Sequence, residues 1–118
     1  MPRDAVQLSL RVAATEAQRQ AAIEAWLRRP DGGPSRQRVI IAEGILFDRQ
    51  GPQGVPVIAL AGGCPCCIGA VALRVTLART LRRHAGAAVL LLVLADEHGR
   101  RLRRQLASGE LGLALEVD

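Results

Sequence analysis

Ala87-Ala88-Val89-Leu90-Leu91-Leu92-Val93-Leu94-Ala95 is apolar at every position. A strand covered on one face only alternates apolar with polar residues, so an unbroken run rich in Val and Leu suits a strand buried on both faces. Such a strand is the spine of a mainly parallel sheet, and parallel neighbours need long crossovers, usually helices. The expected fold class is α/β, with helices covering the sheet.

Outward from this run, the flanking segments supply the other layers. On its C-terminal side Asp96 can cap a helix reaching about Ala107, with Leu102 and Leu106 as core contacts and Ser108-Gly109 as the stop. Leu111, Leu113, Leu115 and Val117 then alternate with Gly112, Ala114 and Glu116, the pattern of a half-buried edge strand. On its N-terminal side, Ala70, Leu73, Leu77 and Leu81 form one stripe of an amphipathic helix. Val55 to Ala61 reads as the strand before that helix, and Arg38 to Ala42 as a short buried strand ended by Glu43-Gly44. A Gly51-Pro52-Gln53-Gly54 turn lies between them. Val6 to Val12 alternates like a strand, and Thr15-Glu16-Ala17-Gln18 fits a capping box. The helix that Thr15 opens carries Ala22, Ile23, Trp26 and Leu27 on its buried side and ends before Pro30, ahead of the turn cluster Asp31-Gly32-Gly33-Pro34-Ser35. Strands near 6–12, 38–42, 55–60 and 88–95 should form the parallel core of a three-layer sandwich.

With 118 residues and no internal repeat, linker or low-complexity tract, the chain reads as one domain spanning 1–118. It has one Phe, one Trp and no Tyr, so its core must be aliphatic. No apolar run approaches the roughly 18 residues of a membrane span, and Met1-Pro2-Arg3-Asp4 does not lead into a signal-peptide core. A cytoplasmic protein with no membrane partner is expected. The net charge is +5, but all 16 basic residues are arginine and the chain has neither lysine nor asparagine, a bias that fits a GC-rich coding background. Arg74, Arg79, Arg82 and Arg83 on one helix, and Arg100, Arg101, Arg103 and Arg104 on another, read as solvated faces. A nucleic-acid partner is not expected, because aromatic residues for base stacking are scarce and no nucleic-acid motif accompanies the arginines.

All three cysteines fall within Gly62-Gly63-Cys64-Pro65-Cys66-Cys67-Ile68-Gly69. Adjacent Cys66 and Cys67 can pair only with strain, and any single bridge leaves an odd thiol. Three thiols between glycines and a proline, just before a helix, can converge on one soft cation, and the helix N-terminus favours their thiolate form. Thiolates suit zinc first and copper(I) second. A redox or regulatory role and a structural loop are the other readings. A tetrahedral zinc site needs a fourth ligand, and Glu43, at the end of a neighbouring strand, is the first choice; a surface carboxylate capping a turn is the alternative. His84, at a helix end, complements the dipole, and His98 sits in a helical first turn with no partner recognisable from sequence. Water or a thiol from another chain could also complete the sphere. A Cys67–His84 nucleophile pair is disfavoured, because the seventeen intervening steps along a helix span about 25 Å.

The segment Gly63-Cys64-Pro65-Cys66-Cys67, after an apolar strand and opening an amphipathic helix, resembles the G-C-x-C-C segment of the CobW family of P-loop GTPases, metal-chaperone relatives of the nickel-insertion GTPases. Arg38-Val39-Ile40-Ile41-Ala42-Glu43-Gly44 is similar to the family's strand ending in Asn-Glu, and Leu90 to Leu94 resembles the strand after the cysteine-led helix. The resemblance covers roughly 6–107 and implies a P-loop or Rossmann-like sandwich with metal ligation by Cys64, Cys66 and Cys67. The family's phosphate loop has no counterpart: Val12-Ala13-Ala14-Thr15-Glu16-Ala17-Gln18-Arg19 holds no glycine and no lysine. Leu90 to Leu94 contains no acidic residue for magnesium, and nothing matches the family's large C-terminal domain. The expectation is a shortened relative without nucleotide or enzymatic activity: a small metal-binding protein whose partners are a metal ion and either another protein or a second copy of itself. A metal-free interaction module and a thiol redox protein are the alternatives.

Overall fold

In the computed structural model, which describes residues 6–28, 37–60, 71–84, 87–107 and 115–117, the all-apolar run is the central strand. The elements follow as β1 (Val6–Val12), α1 (Glu16–Leu27), β2 (Arg38–Ala42), β3 (Arg49–Gln50), a single 3-10 turn (Pro52–Gly54), β4 (Pro56–Ala59), α2 (Val71–Arg83), β5 (Ala88–Val93), α3 (Asp96–Ala107) and β6 (Leu115–Val117). They build a mixed α/β fold on a six-stranded sheet of order β3-β4-β2-β5-β1-β6. Every pairing is parallel except that of β3 with β4. β5 lies between β1 and β2, with Leu10 beside Leu91 on one side and Ile40 beside Leu90 on the other. All six of its residues are buried, which is the burial an unbroken apolar run demands.

Alternation along the strands divides the core in two. Leu8, Leu10, Ile41, Val89, Leu91 and Val93 face α2 and α3, meeting Leu73, Leu77, Leu102 and Leu106. Ile40, Ala42, Val57, Ala88, Leu90 and Leu92 face α1, meeting Ile23 and Trp26. Helices thus cover both faces. The crossovers are consistent with this: β1 reaches β2 through α1 on one face, while β4 reaches β5 and β5 reaches β6 in the opposite direction, through α2 and α3 on the other. The strand order differs from both common doubly wound orders, in which the first two strands are neighbours; here β5 separates them.

Local signals act as read. Thr15 caps α1: its Oγ1 accepts from the Gln18 N–H at 3.1 Å, and Gln18 Oε1 accepts in return from the N–H groups of Ala14 and Thr15 at 2.8 and 3.3 Å. Arg38 fixes the other end of α1 to β2, donating to the Leu27 carbonyl at 2.7 Å with its guanidinium over the Trp26 ring. Asp96 is the first residue of α3 rather than the residue before it, and with Glu97 it places acidic charge at the positive end of the helix dipole.

Two boundaries differ from expectation, and part of a third expected element lies outside the described residues. The Gly51–Gly54 turn closes a hairpin with a two-residue antiparallel strand, β3, whose exposed Arg49 and Gln50 carry no apolar alternation to announce it. Gln53 and Gly54 take left-handed backbone angles in that turn, φ 59° and 75°. β5 stops at Val93 instead of running to Ala95, because the Leu94 N–H is taken by a side chain, that of Glu43. Of the edge strand expected over 111–117, Leu115–Val117 is present, paired in parallel with β1 at the sheet edge, while 111–114 lie outside the described residues.

Candidate functional site

β2, β4 and β5 run in parallel, so their carboxyl ends emerge on one edge of the sheet. Hydrogen bonds beyond the formal strand ends hold that edge in register: the Glu43 N–H donates to the Leu92 carbonyl at 2.9 Å and the Leu60 N–H to the Ala42 carbonyl at 3.0 Å. A cavity of about 750 Å³ opens here, within the range of about 300–1,000 Å³ common for small-molecule sites. Ile58, Leu60 and Leu94 give it apolar walls; Glu43, Asp48 and His98 bring polar groups; and Thr76, Arg79, Thr80 and Arg83 face it from α2. The four α2 positions fall at steps of three and four, so they form one stripe of that helix. The adjoining stripe, Leu73 and Leu77, is fully buried in the core.

Glu43 is the most constrained polar group at this edge. It is 7% exposed, a buried carboxylate at the end of β2 and not a surface one. Oε1 accepts from the Leu94 N–H at 2.8 Å and lies 3.0 Å from His98 Nδ1. Both contacts fall on the same oxygen, and among the described residues Oε2 has no hydrogen-bond partner. Gly44, with φ +91°, turns the chain away directly after this carboxylate; a Cβ there would stand 3.0 Å from Leu94 Cδ1, so the close approach of β2 and β5 at this point favours glycine. Across the cavity mouth, Asp48 Oδ1 accepts from the Ala59 N–H at 2.8 Å.

His98 is the neighbour of Glu43 that the sequence did not reveal. It lies 55 positions from Glu43, on a different element, and only the parallel pairing of β2 with β5 brings the start of α3 beside the end of β2. His84 has other partners. Its N–H donates to the Thr80 carbonyl at 2.8 Å and its Nδ1 lies 3.1 Å from Gln37 Oε1, a helix-end arrangement.

Cys64, Cys66 and Cys67 lie outside the described residues. Among the described residues no group of three or more His, Cys, Asp and Glu side chains is placed to hold a metal ion; Glu43 with His98 makes a pair. At the start of α1, where a phosphate loop would present backbone donors, the N–H groups of Ala14, Thr15 and Gln18 are occupied by the capping box, and the cavity draws none of its lining from 12–19. No described helix is long and apolar enough to cross a membrane. Compared with protein-family models, curated proteins and solved structures, the chain finds no significant match.

Proposed function

We propose that the chain is a small, non-catalytic metal-binding protein of the cytoplasm, related to the CobW metallochaperone GTPases and built on a three-layer, P-loop or Rossmann-like framework without a nucleotide site. Cys64, Cys66 and Cys67 are its thiolate ligands for zinc, or less favourably copper(I), and Glu43 completes the set. The observation that carries this reading is the state of Glu43: one oxygen is held by Leu94 and His98, which orients the carboxylate, while the other has no partner among the described residues. Outer hydrogen bonds that fix a carboxylate in this way are the usual support of a metal ligand. Leu60, hydrogen-bonded to Ala42 at the same edge, is four positions before Cys64 in the chain. A bound cation would supply charge neutralisation for thiolates gathered at the start of α2.

The loss of nucleotide binding rests on the capping box. The N–H groups of Ala14, Thr15 and Gln18 are taken by the box, and the stretch 12–19 holds neither the lysine nor the glycine of a phosphate loop. Titration with magnesium and GTP should release no heat; micromolar binding abolished by changes within 12–19 overturns this part.

Metal analysis of protein purified under reducing conditions tests the main reading. One zinc per chain is expected, with loss in Cys66→Ser and weakened binding in Glu43→Gln. Retention of stoichiometric zinc after all three cysteines become serine removes the site. A wild-type protein that takes up no metal points to an interaction module, and reversible loss of titratable thiols after peroxide points to redox chemistry.

A further inference from the structure

We infer that the cavity at the carboxyl edge of β2, β4 and β5 binds a small organic anion: an apolar body carrying a carboxylate or phosphate head, the head held by Arg79 and Arg83. This goes beyond the metal reading and needs none of the cysteines. Arg79 and Arg83 are one helical turn apart on α2 and both line the cavity. Neither has a carboxylate partner among the described residues. Neither acidic group that shares the cavity is ion-paired with them: Asp48 accepts from the Ala59 N–H, and the ion-pair partner of Glu43 is His98. Two guanidinium groups on adjacent turns of one rigid helix form a paired donor surface that matches the planar or tetrahedral oxygens of an anion. Thr80, between them, and Thr76, one turn before Arg79, line the same cavity and carry hydroxyl groups.

The rest of the cavity selects the body. Ile58, Leu60 and Leu94 are apolar and lie at strand ends fixed by the sheet, so the hydrophobic part of a ligand would meet a preformed wall. A volume of about 750 Å³ is in the range of small-molecule sites. Other arginines on these helices differ in placement: Arg101 is paired with Glu97, and Arg103 donates to the Leu10 carbonyl. It is position on the cavity wall, more than net charge, that distinguishes Arg79 and Arg83.

Octanoate, octyl phosphate, octylamine and octanol serve as probes, with calorimetry for affinity and methyl NMR for location. Octanoate or octyl phosphate should bind at about millimolar Kd or tighter, at least about tenfold more tightly than octylamine or octanol, and should shift the methyl signals of Ile58, Leu60 and Leu94. The tighter of the two anions identifies the head group. Arg79→Gln with Arg83→Gln should weaken the anion about tenfold while leaving octanol and zinc stoichiometry unchanged; both side chains are exposed, so the fold should be unaffected. The triple cysteine-to-serine variant should bind octanoate like the wild type, so failure of the metal reading leaves this result intact. Octylamine or octanol binding as well as octanoate, an arginine double variant that binds octanoate normally, or shifts confined to residues away from the cavity overturns the inference.

Discussion

Glu43 shows how much one side chain does at a sheet edge. A carboxylate buried to this degree is costly unless it is hydrogen-bonded, and it ends β5 by capturing the Leu94 N–H that would otherwise continue the ladder. The role makes a clear prediction about paired substitutions. Glu43→Ala leaves that N–H and His98 without their acceptor and should cost about 1–3 kcal/mol of stability. Glu43→Gln keeps an oxygen for Leu94 and should cost less than about 1 kcal/mol, while still removing the charge that zinc would need. Urea unfolding midpoints of the two variants, read beside their zinc content, separate the structural from the ligand role; equal losses of stability would show that the Leu94 bond is not what the carboxylate supplies.

Among the elements, α1 depends most on its end signals. Its buried face is short, Ile23 and Trp26 with partly buried Ala22 and Leu27, and its two reciprocal caps satisfy donors that the first turn leaves open. Thr15→Ala should cost about 1 kcal/mol, shifting the denaturation midpoint without changing the slope, because it removes a cap and not buried surface. α3 contrasts with it. Arg100, Arg101, Arg103 and Arg104 are exposed while Gly99, Leu102 and Leu106 are buried, so its register is set by a sharp division of polarity. Gly99 also allows closeness to the sheet: a Cβ there would lie 3.2 Å from Leu10 Cδ2.

For the whole molecule, the strand order sets a gradient of stability. β5 has parallel partners on both sides and an apolar cluster on each face, whereas β3 is two exposed residues at the sheet margin. Hydrogen exchange should follow this order. The amides of β5 should exchange only through global opening, and those of β3 should exchange much faster. Comparable rates for β5 and β3 would mean that β5 is not the spine. The same order gathers the ends of β2, β4 and β5 on one edge, which is why the cavity, the Glu43–His98 pair and the α2 arginines share a location.

Most of the fold was legible because its signals are local. The all-apolar β5, the 3.6-residue stripes of α2 and α3, the Thr15–Gln18 box and the alternation in β1 each depend on neighbours within one or two turns, and each forms as its pattern requires. β3 was not legible, since two polar residues have no periodicity. Glu43 was legible as an acidic residue at a strand end, and its burial was not, because solvent exposure depends on what packs above it. The sequence alone also determined the crowding of all three cysteines into one short segment and the lack of glycine and lysine at the start of α1. Only the tertiary structure decided that His98 meets Glu43 and that Arg79 and Arg83 face a cavity. Those relations depend on which strands pair, and pairing between segments some 50 positions apart is set by the global competition for buried surface, which no local window of sequence contains.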